Sequence, residues 1–461
     1  MRMLSLTQNK LLVGAVVMAA FVSTTAWAQA PLVYSLEDCL EYCMQNQTTV
    51  RNTDLDRRAA AAQIGETRSD GLPQIDADFE YSNYFSIQQA FLPSIIFDPN
   101  AGFDEFVAVP FSQKYNGNAT LSATQLLFDG SYFVGLKAAK TFKLLAEKDH
   151  IKSQVDVAEM ITKAYYTVMV NEVGLELTRT NYQRLDSLLR ETRALYENGF
   201  VEKIDVNRIQ VEFNNAEVNL SRGRRVLELS YLLLKFQMGM PLSQVIQLAE
   251  SIQDIDFQYN DYEVETFDYH HRIEIGQLQT TRELAQLDLK NNQVKYIPTI
   301  SAFATLGANV ATNERSEFTD FSDRWLDYGL FGLRLNVPIF DGLRKSYLVQ
   351  QNRIQLAQID NEFIRLKNSI DYELAQAKGD YANSLEYLRA QEENMKLAQE
   401  VFEATRIKYQ EGVGSNLELV EADSAFKEAQ TNYFNALYDA LIAKVDVEKA
   451  LGLLYNNSTS E

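Results

Sequence analysis

Two hydrophobic periods alternate along the chain, and their order occurs twice. From Gln74 the period is two. Ile75, Ala77, Phe79 and Tyr81 fall on one side, with Gln74, Asp76, Asp78 and Glu80 on the other. A second alternating segment sets Tyr115, Ala119, Leu121 and Ala123 against Asn116, Asn118, Thr120, Ser122 and Thr124. Such alternation marks a strand with one apolar and one polar face, and predicts strands over about 74–85 and 113–127. Further on, Ile300, Ala302, Ala304, Leu306 and Ala308 oppose Ser301, Thr305 and Asn309. Then Phe331, Leu333, Leu335 and Val337 oppose Arg334 and Asn336. Strands over about 299–310 and 328–339 follow.

After each strand pair the period becomes helical. From Ser131 to Asn198 only Gly135 and Gly174 interrupt helix-compatible sequence, a length that spans roughly 100 Å at 1.5 Å per residue. Ile151, Val155, Ala158, Thr162, Tyr165 and Met169 give it a packing stripe at spacings of three and four. A matching stretch runs from Leu343 to Glu411. Asn198-Gly199 and Glu411-Gly412 are stop signals, and new helices begin near Ile204 and Asn416. The pattern predicts two antiparallel helical hairpins, 131–239 and 343–452, each turning far from its strands. An earlier helix, Ser35 to Ser69, opens on a Ser35/Asp38 capping box and stops near Gly71-Leu72-Pro73.

Three landmarks establish duplication. Phe128-Asp129-Gly130 recurs as Phe340-Asp341-Gly342, 212 positions on, and Tyr196-Glu197-Asn198-Gly199 as Tyr409-Gln410-Glu411-Gly412, 213 on. Leu72-Pro73-Gln74-Ile75 answers Ile297-Pro298-Thr299-Ile300 at 225, so the first copy has the longer loop between its strands. The first repeat is 29–240 and the second 268–461; 241–267, containing Pro241, is a linker or belt midway along the rod. The fold class is mainly α with four β-strands. Each strand has the length of a tilted bilayer-crossing strand, but a half-solvated sheet on a soluble domain alternates identically. Four strands alone cannot close a barrel, so the membrane reading requires oligomerisation.

The start of the chain changes the picture. Arg2 and Lys10 precede an apolar run from Leu11 to Val22, followed by Ala26-Trp27-Ala28. That is a signal peptide over 1–28, with cleavage expected before Gln29. The run is too short to span a bilayer as a helix, and no cysteine stands at the cleavage point to carry lipid. Cys39 and Cys43 lie on one stripe with Leu36, Leu40 and Met44 and read as small buried hydrophobes. A formal charge of −20 excludes nucleic acid as a partner, which requires a basic surface. Three histidines, His150, His270 and His271, form no metal-ligand pattern. With no phosphate loop or nucleophile motif either, the sequence gives no reason to expect an enzyme or a cofactor.

The arrangement resembles the TolC-like outer-membrane efflux protein family across the mature chain. The marks are Ser35-Leu36-Glu37-Asp38-Cys39-Leu40, the proline opening each first strand, Phe-Asp-Gly closing each second strand, and the two hairpin turns. No one of them is specific; their order, spacing and duplication are. The resemblance implies a homotrimer in which three sets of four strands form a twelve-stranded barrel in outer-membrane lipid, above a periplasmic α-barrel. It also implies a passive duct for efflux or secretion, docked onto a periplasmic adaptor protein and served by an inner-membrane transporter. The lipid-facing set would include Ile75, Phe79, Tyr81, Leu121, Leu306, Leu333 and Leu335. Glu418 and Glu421, one turn apart, match acidic positions that form a constriction at the periplasmic mouth, and Asp205 is the repeat counterpart of Glu418. The bland reading of such acids is helix-dipole complementation. Gly199, Phe200, Val201, Gly412, Val413 and Gly414 would be the adaptor-docking tips. Some members carry, at the position of Gly414, a basic residue that ties neighbouring hairpins shut; glycine cannot, leaving Arg208, Lys203 or another group to replace it. The aromatic loop Phe85 to Phe111 would be extracellular. The competing class is a periplasmic adaptor or structural coiled-coil protein, equally exported and hairpin-rich but without duplicated strands.

Overall fold

A computed structural model describes residues 32–252, 255, 257, 267–320 and 324–454. The signal peptide, residues 258–266 of the linker and the tail after 454 lie outside the described residues. A short strand β1 (Leu32–Tyr34) leads to helices α1 (Leu36–Asn46) and α2 (Thr48–Ser69). The single helix expected over Ser35–Ser69 is therefore two. Gln47 takes extended backbone angles (φ −68°, ψ 131°) and its side-chain carbonyl caps α2 by accepting from the Thr49 and Val50 amides. This N-cap uses a residue outside the usual Ser/Thr/Asp/Asn set, so the break carries no sequence punctuation. The Ser35/Asp38 capping box closes reciprocally, at 3.1 and 2.9 Å.

Strand β2 (Gln74–Asn83) is followed by a small hairpin, β3 (Gln89–Pro93) and β4 (Phe106–Pro110), then β5 (Tyr115–Phe128). Helix α3 (Gly130–Glu197) and helix α4 (Lys203–Met238) make the first long hairpin. After β6 (Ile246–Leu248), which pairs in parallel with β1, the second copy runs α5 (Ile273–Val294), β7 (Thr299–Thr312), the single turn α6 (Arg315–Phe318) and β8 (Leu326–Asn336). It ends on α7 (Arg344–Gln410) and α8 (Asn416–Leu451).

One four-stranded antiparallel sheet unites the copies, in the order β2-β5-β7-β8. Its register keeps the two faces distinct. Ala77, Leu121 and Leu306 lie in one row, and Ile75, Ala123, Ala304 and Phe331 in another. The opposite face carries Asp76, Ser122 and Thr305, then Asp78, Thr120 and Gly307. Strand β8 departs from the simple polar/apolar split. Leu326, Tyr328 and Leu330 share the polar face with Arg334, as does Phe303 of β7.

Three buried clusters hold the helices. The largest joins Cys39, Cys43, Ile161, Tyr165, Met169, Leu234, Met238 and Leu441 around β1 and β6. A second lies between α7 and α8, and a third joins both hairpins near their turns. The duplication persists in the joints. Helices α4 and α8 both end on left-handed glycines, Gly239 (φ 71°) and Gly452 (φ 73°). An added Cβ would stand 2.9 Å from the Asn46 carbonyl oxygen in the first and 2.6 Å from that of His271 in the second. Each closing glycine thus abuts the joint before a helix that leads to the sheet, α2 or α5. Burial pushes both cysteine thiols up to about 12, so they stay protonated and pack as apolar groups.

Candidate functional site: the hairpin tips and the sheet

Helix α3 ends in a left-handed glycine turn. Gly199 has φ 78°, and the Phe200 amide donates back to the Leu195 carbonyl at 2.9 Å. Gly412 (φ 75°) and Val413, whose amide reaches the Lys408 carbonyl at 3.0 Å, repeat this at the end of α7. Both follow the Schellman pattern, which satisfies orphan carbonyls and needs a residue tolerant of positive φ. Phe200 and Val413 project outward at 77% and 79% exposure. Gly414 is fixed by close approach. A Cβ there would lie 3.0–3.1 Å from the backbone of Lys408 and Tyr409, so a longer side chain at this position needs a differently shaped turn.

Just beyond the turns, the three candidate acids separate into two kinds. Asp205 is drawn into its own helix start, accepting from the Glu202 amide at 3.2 Å and pairing with Arg208 at 3.5 Å. Arg208, one of the two candidate latches, is thereby engaged with Asp205. Glu418 donates its backbone amide to the Ser415 hydroxyl at 3.2 Å. The carboxylates of Glu418 and Glu421 are exposed and make no ion pair among the described residues. They share one face of α8 a turn apart.

Behind them lies a cluster that local patterns did not single out. Asp423, only 2% exposed, receives Arg184 of α3 at 2.6 Å and Lys427 of α8 at 2.6 Å. Lys427 also reaches Glu212 of α4 at 3.1 Å. The Arg184 guanidinium lies 4.4 Å from the Phe402 ring centre and 5.2 Å from that of Phe426. Burial holds Arg184 below the ordinary arginine range, with Asp423 opposing the shift. Four helices meet here, and 239 positions separate the paired charges. Nearer the turns, Thr192, Tyr409 and Asn416 are buried with side-chain polar atoms that find no hydrogen-bond partner among the described residues.

At the opposite end of the molecule, Ile75, Phe79, Tyr81, Leu121, Leu306, Leu333 and Leu335 are all exposed on the apolar sheet face. Phe79 stacks on Trp325 (centroids 6.3 Å apart), and Tyr81 meets Phe318 edge-on at 4.9 Å. This aromatic group sits at the end of that face remote from the helices. Such a band flanking an apolar belt is a feature of outer-membrane barrels.

The family model described as outer membrane efflux protein matches residues 40–239 and 270–453. The chain belongs to that family. It is 20% identical to the outer membrane protein TolC of Vibrio cholerae, over 94% of this chain and 93% of that protein. It is 22% identical to the alkaline protease secretion protein AprF of Pseudomonas aeruginosa, over 73% of this chain and 69% of that one. Among solved structures, the open state of the Neisseria gonorrhoeae MtrE outer membrane channel superposes with a TM-score of 0.69 at 15% identity, covering 92% of this chain and 91% of that chain. As an outer membrane efflux protein, the chain is an outer-membrane channel component that extends into the periplasm. The family match spans both repeats, which removes the adaptor alternative.

Proposed function

We propose that three copies close into one exit duct across the outer membrane and periplasm, with lipid outside the barrel and solute passing within. The observation that carries this reading is that sheet and helices have the same open edges. Strand order is β2-β5-β7-β8. Helix α2 feeds β2, β5 feeds α3, α5 feeds β7, and β8 feeds α7. The helices pack in the same order, α2 on α3, α3 on α5, α5 on α7. The unpaired edges β2 and β8 therefore stand over α2 and α7, the end helices of that row, each with one side left open.

Those two sides carry apolar stripes. On α4, beneath α2, Ile204, Val211, Val218, Leu229 and Phe236 are each more than half exposed. Their steps of seven, seven, eleven and seven keep them on one face. On α7, Ile354, Ile364, Tyr372 and Leu397 are likewise exposed. Packing α7 of one copy on α2 and α4 of the next buries both stripes. The same step pairs β8 antiparallel with the neighbouring β2. Closure removes both edges of the four-stranded sheet, as a membrane barrel requires; three copies, giving twelve strands, follow the family resemblance.

Within this duct, Ile75, Phe79, Tyr81, Leu121, Leu306, Leu333 and Leu335 face lipid, and Glu418 and Glu421 of three copies converge on the periplasmic mouth. The tips at Gly199-Phe200-Val201 and Gly412-Val413-Gly414 receive a periplasmic adaptor that couples the duct to an inner-membrane transporter. A ring of six carboxylates favours cations. Planar-bilayer recordings of the purified protein should show cation selectivity and block by a trivalent metal from the periplasmic side. Glu418→Gln/Glu421→Gln should weaken both, while Glu392→Gln/Glu393→Gln, mid-helix, should not. Unchanged selectivity and block in the tip variant would reduce these glutamates to helix-start residues.

A further inference from the structure

Two rings on opposite faces of strand β8 lie differently. Phe331, on the apolar side, is 90% exposed, while Tyr328 on the polar side is 36% exposed. Tyr328 folds across Gly307 of β7 toward β5, donating its phenol hydrogen to Asn118 Oδ1 at 3.2 Å and lying 3.3 Å from Thr120 Oγ1. The fold-over depends on the glycine. A Cβ at 307 would stand 2.4 Å from Tyr328 Cζ and 2.6 Å from its hydroxyl oxygen. These atoms are the far end of a side chain free to rotate, so the ring would move before the backbone. Two rows toward the helices the device recurs. Phe303 covers Gly332, where a Cβ would meet the ring at 3.1 Å, and Arg334 lies 5.1 Å from the ring centre.

We propose that Gly307 and Tyr328 set the bore of the barrel: the glycine lets the phenol ring lie against the wall, and without it three rings would swing into the passage. The inference rests on the reading that this face lines the lumen. Covering a glycine with a cross-strand aromatic also stabilises a sheet; that effect alone predicts a loss of stability and no change of bore.

The test reads the barrel locally, because total conductance would also report any constriction at the periplasmic mouth. Ser122 is one row nearer the helices than Tyr328 on the same face, so a reagent entering from outside must pass the ring to reach it. Cys39 and Cys43 are fully buried, which leaves Ser122→Cys as the reporter. Intact cells bearing that variant are treated with maleimides carrying polyethylene glycol of graded length. Gly307→Ala should lower the largest reagent that labels Cys at 122, and Gly307→Ala/Tyr328→Ala should restore it. An unchanged size limit in an assembled Gly307→Ala channel would overturn the proposal. If Gly307→Ala does not assemble, Asn118→Ala/Thr120→Ala frees the phenol without touching the backbone. It should lower the limit too, and an unchanged limit there overturns the proposal equally. Failure of even the smallest maleimide to label Ser122→Cys, with Leu121→Cys labelled instead, would refute the lumen assignment and the bore proposal together.

Discussion

Replacing Asp423 with alanine should loosen the two hairpins from each other near their tips. The carboxylate sits between Arg184 and Lys427, each 2.6 Å away. Lys427 keeps Glu212 at 3.1 Å when Asp423 is lost, so the cost falls on Arg184. That guanidinium is held between two phenylalanine rings; Glu403 also acts on it electrostatically but makes no ion pair with it among the described residues. Stranding a buried charge costs about 3–5 kcal/mol. The Arg184 side chain retains 16% exposure, which favours the lower end, about 3 kcal/mol. In hydrogen exchange this corresponds to roughly a hundredfold loss of protection, confined to 416–430 of α8 and the facing turns of α3. The strands, far from the cluster, should exchange unchanged. Arg184→Met/Asp423→Leu should recover much of the loss, because an apolar pair fills the same site without desolvating charge. Unchanged exchange over 416–430 in Asp423→Ala would refute the argument, as would a double variant no better than the single one.

Three further outcomes are expected. Leu121→Arg should cost roughly 2–4 kcal/mol of barrel stability if its side chain meets lipid near the midplane, while Thr120→Arg, on the other face, should assemble; heat-dissociation of the extracted oligomer on gels reads both, and the reverse pattern would invert the faces. Gly452→Ala should destabilise more than Gly412→Ala in thermal melts: both residues are left-handed, but only the first meets backbone, 2.6 Å from the His271 carbonyl oxygen. Burial alone would raise Glu159, but its hydrogen bonds to Lys163 and Lys449 outweigh that and hold the carboxyl below its ordinary 4.5. A depressed folded value means the contribution is full above 4.5 and is lost as pH falls through the folded value, so the melting difference between the protein and Glu159→Gln should shrink on acidification below that range.

The sequence carried the elements whose cause is periodic or local. The alternation at 74–85 and 299–310 and the glycine stops at 199 and 412 needed only neighbouring residues. The break at Gln47 escaped because the capping group is a glutamine amid helix-compatible residues. Strands β1 and β6 are three residues each, too short for any period to register, and they exist through pairing between distant segments. Leu326 and Leu330 on the polar face ran against the simple split of β8, whose polar side also carries apolar groups. The Arg184–Asp423 pair left no local trace, since it is made by helix packing alone. Asp205 and Glu418, counterparts in the repeat, differ because only Asp205 folds back onto its own helix start; spacing does not report which way a carboxylate turns.

The central claim is that the paired open edges of sheet and helices close on further copies of the same chain. Native mass spectrometry of the protein extracted from outer membranes in detergent tests this directly. A mass of three mature chains that falls to one only on denaturation is the predicted result. A single-chain mass, or protein that leaves the membrane fraction fully soluble without detergent, would contradict the account.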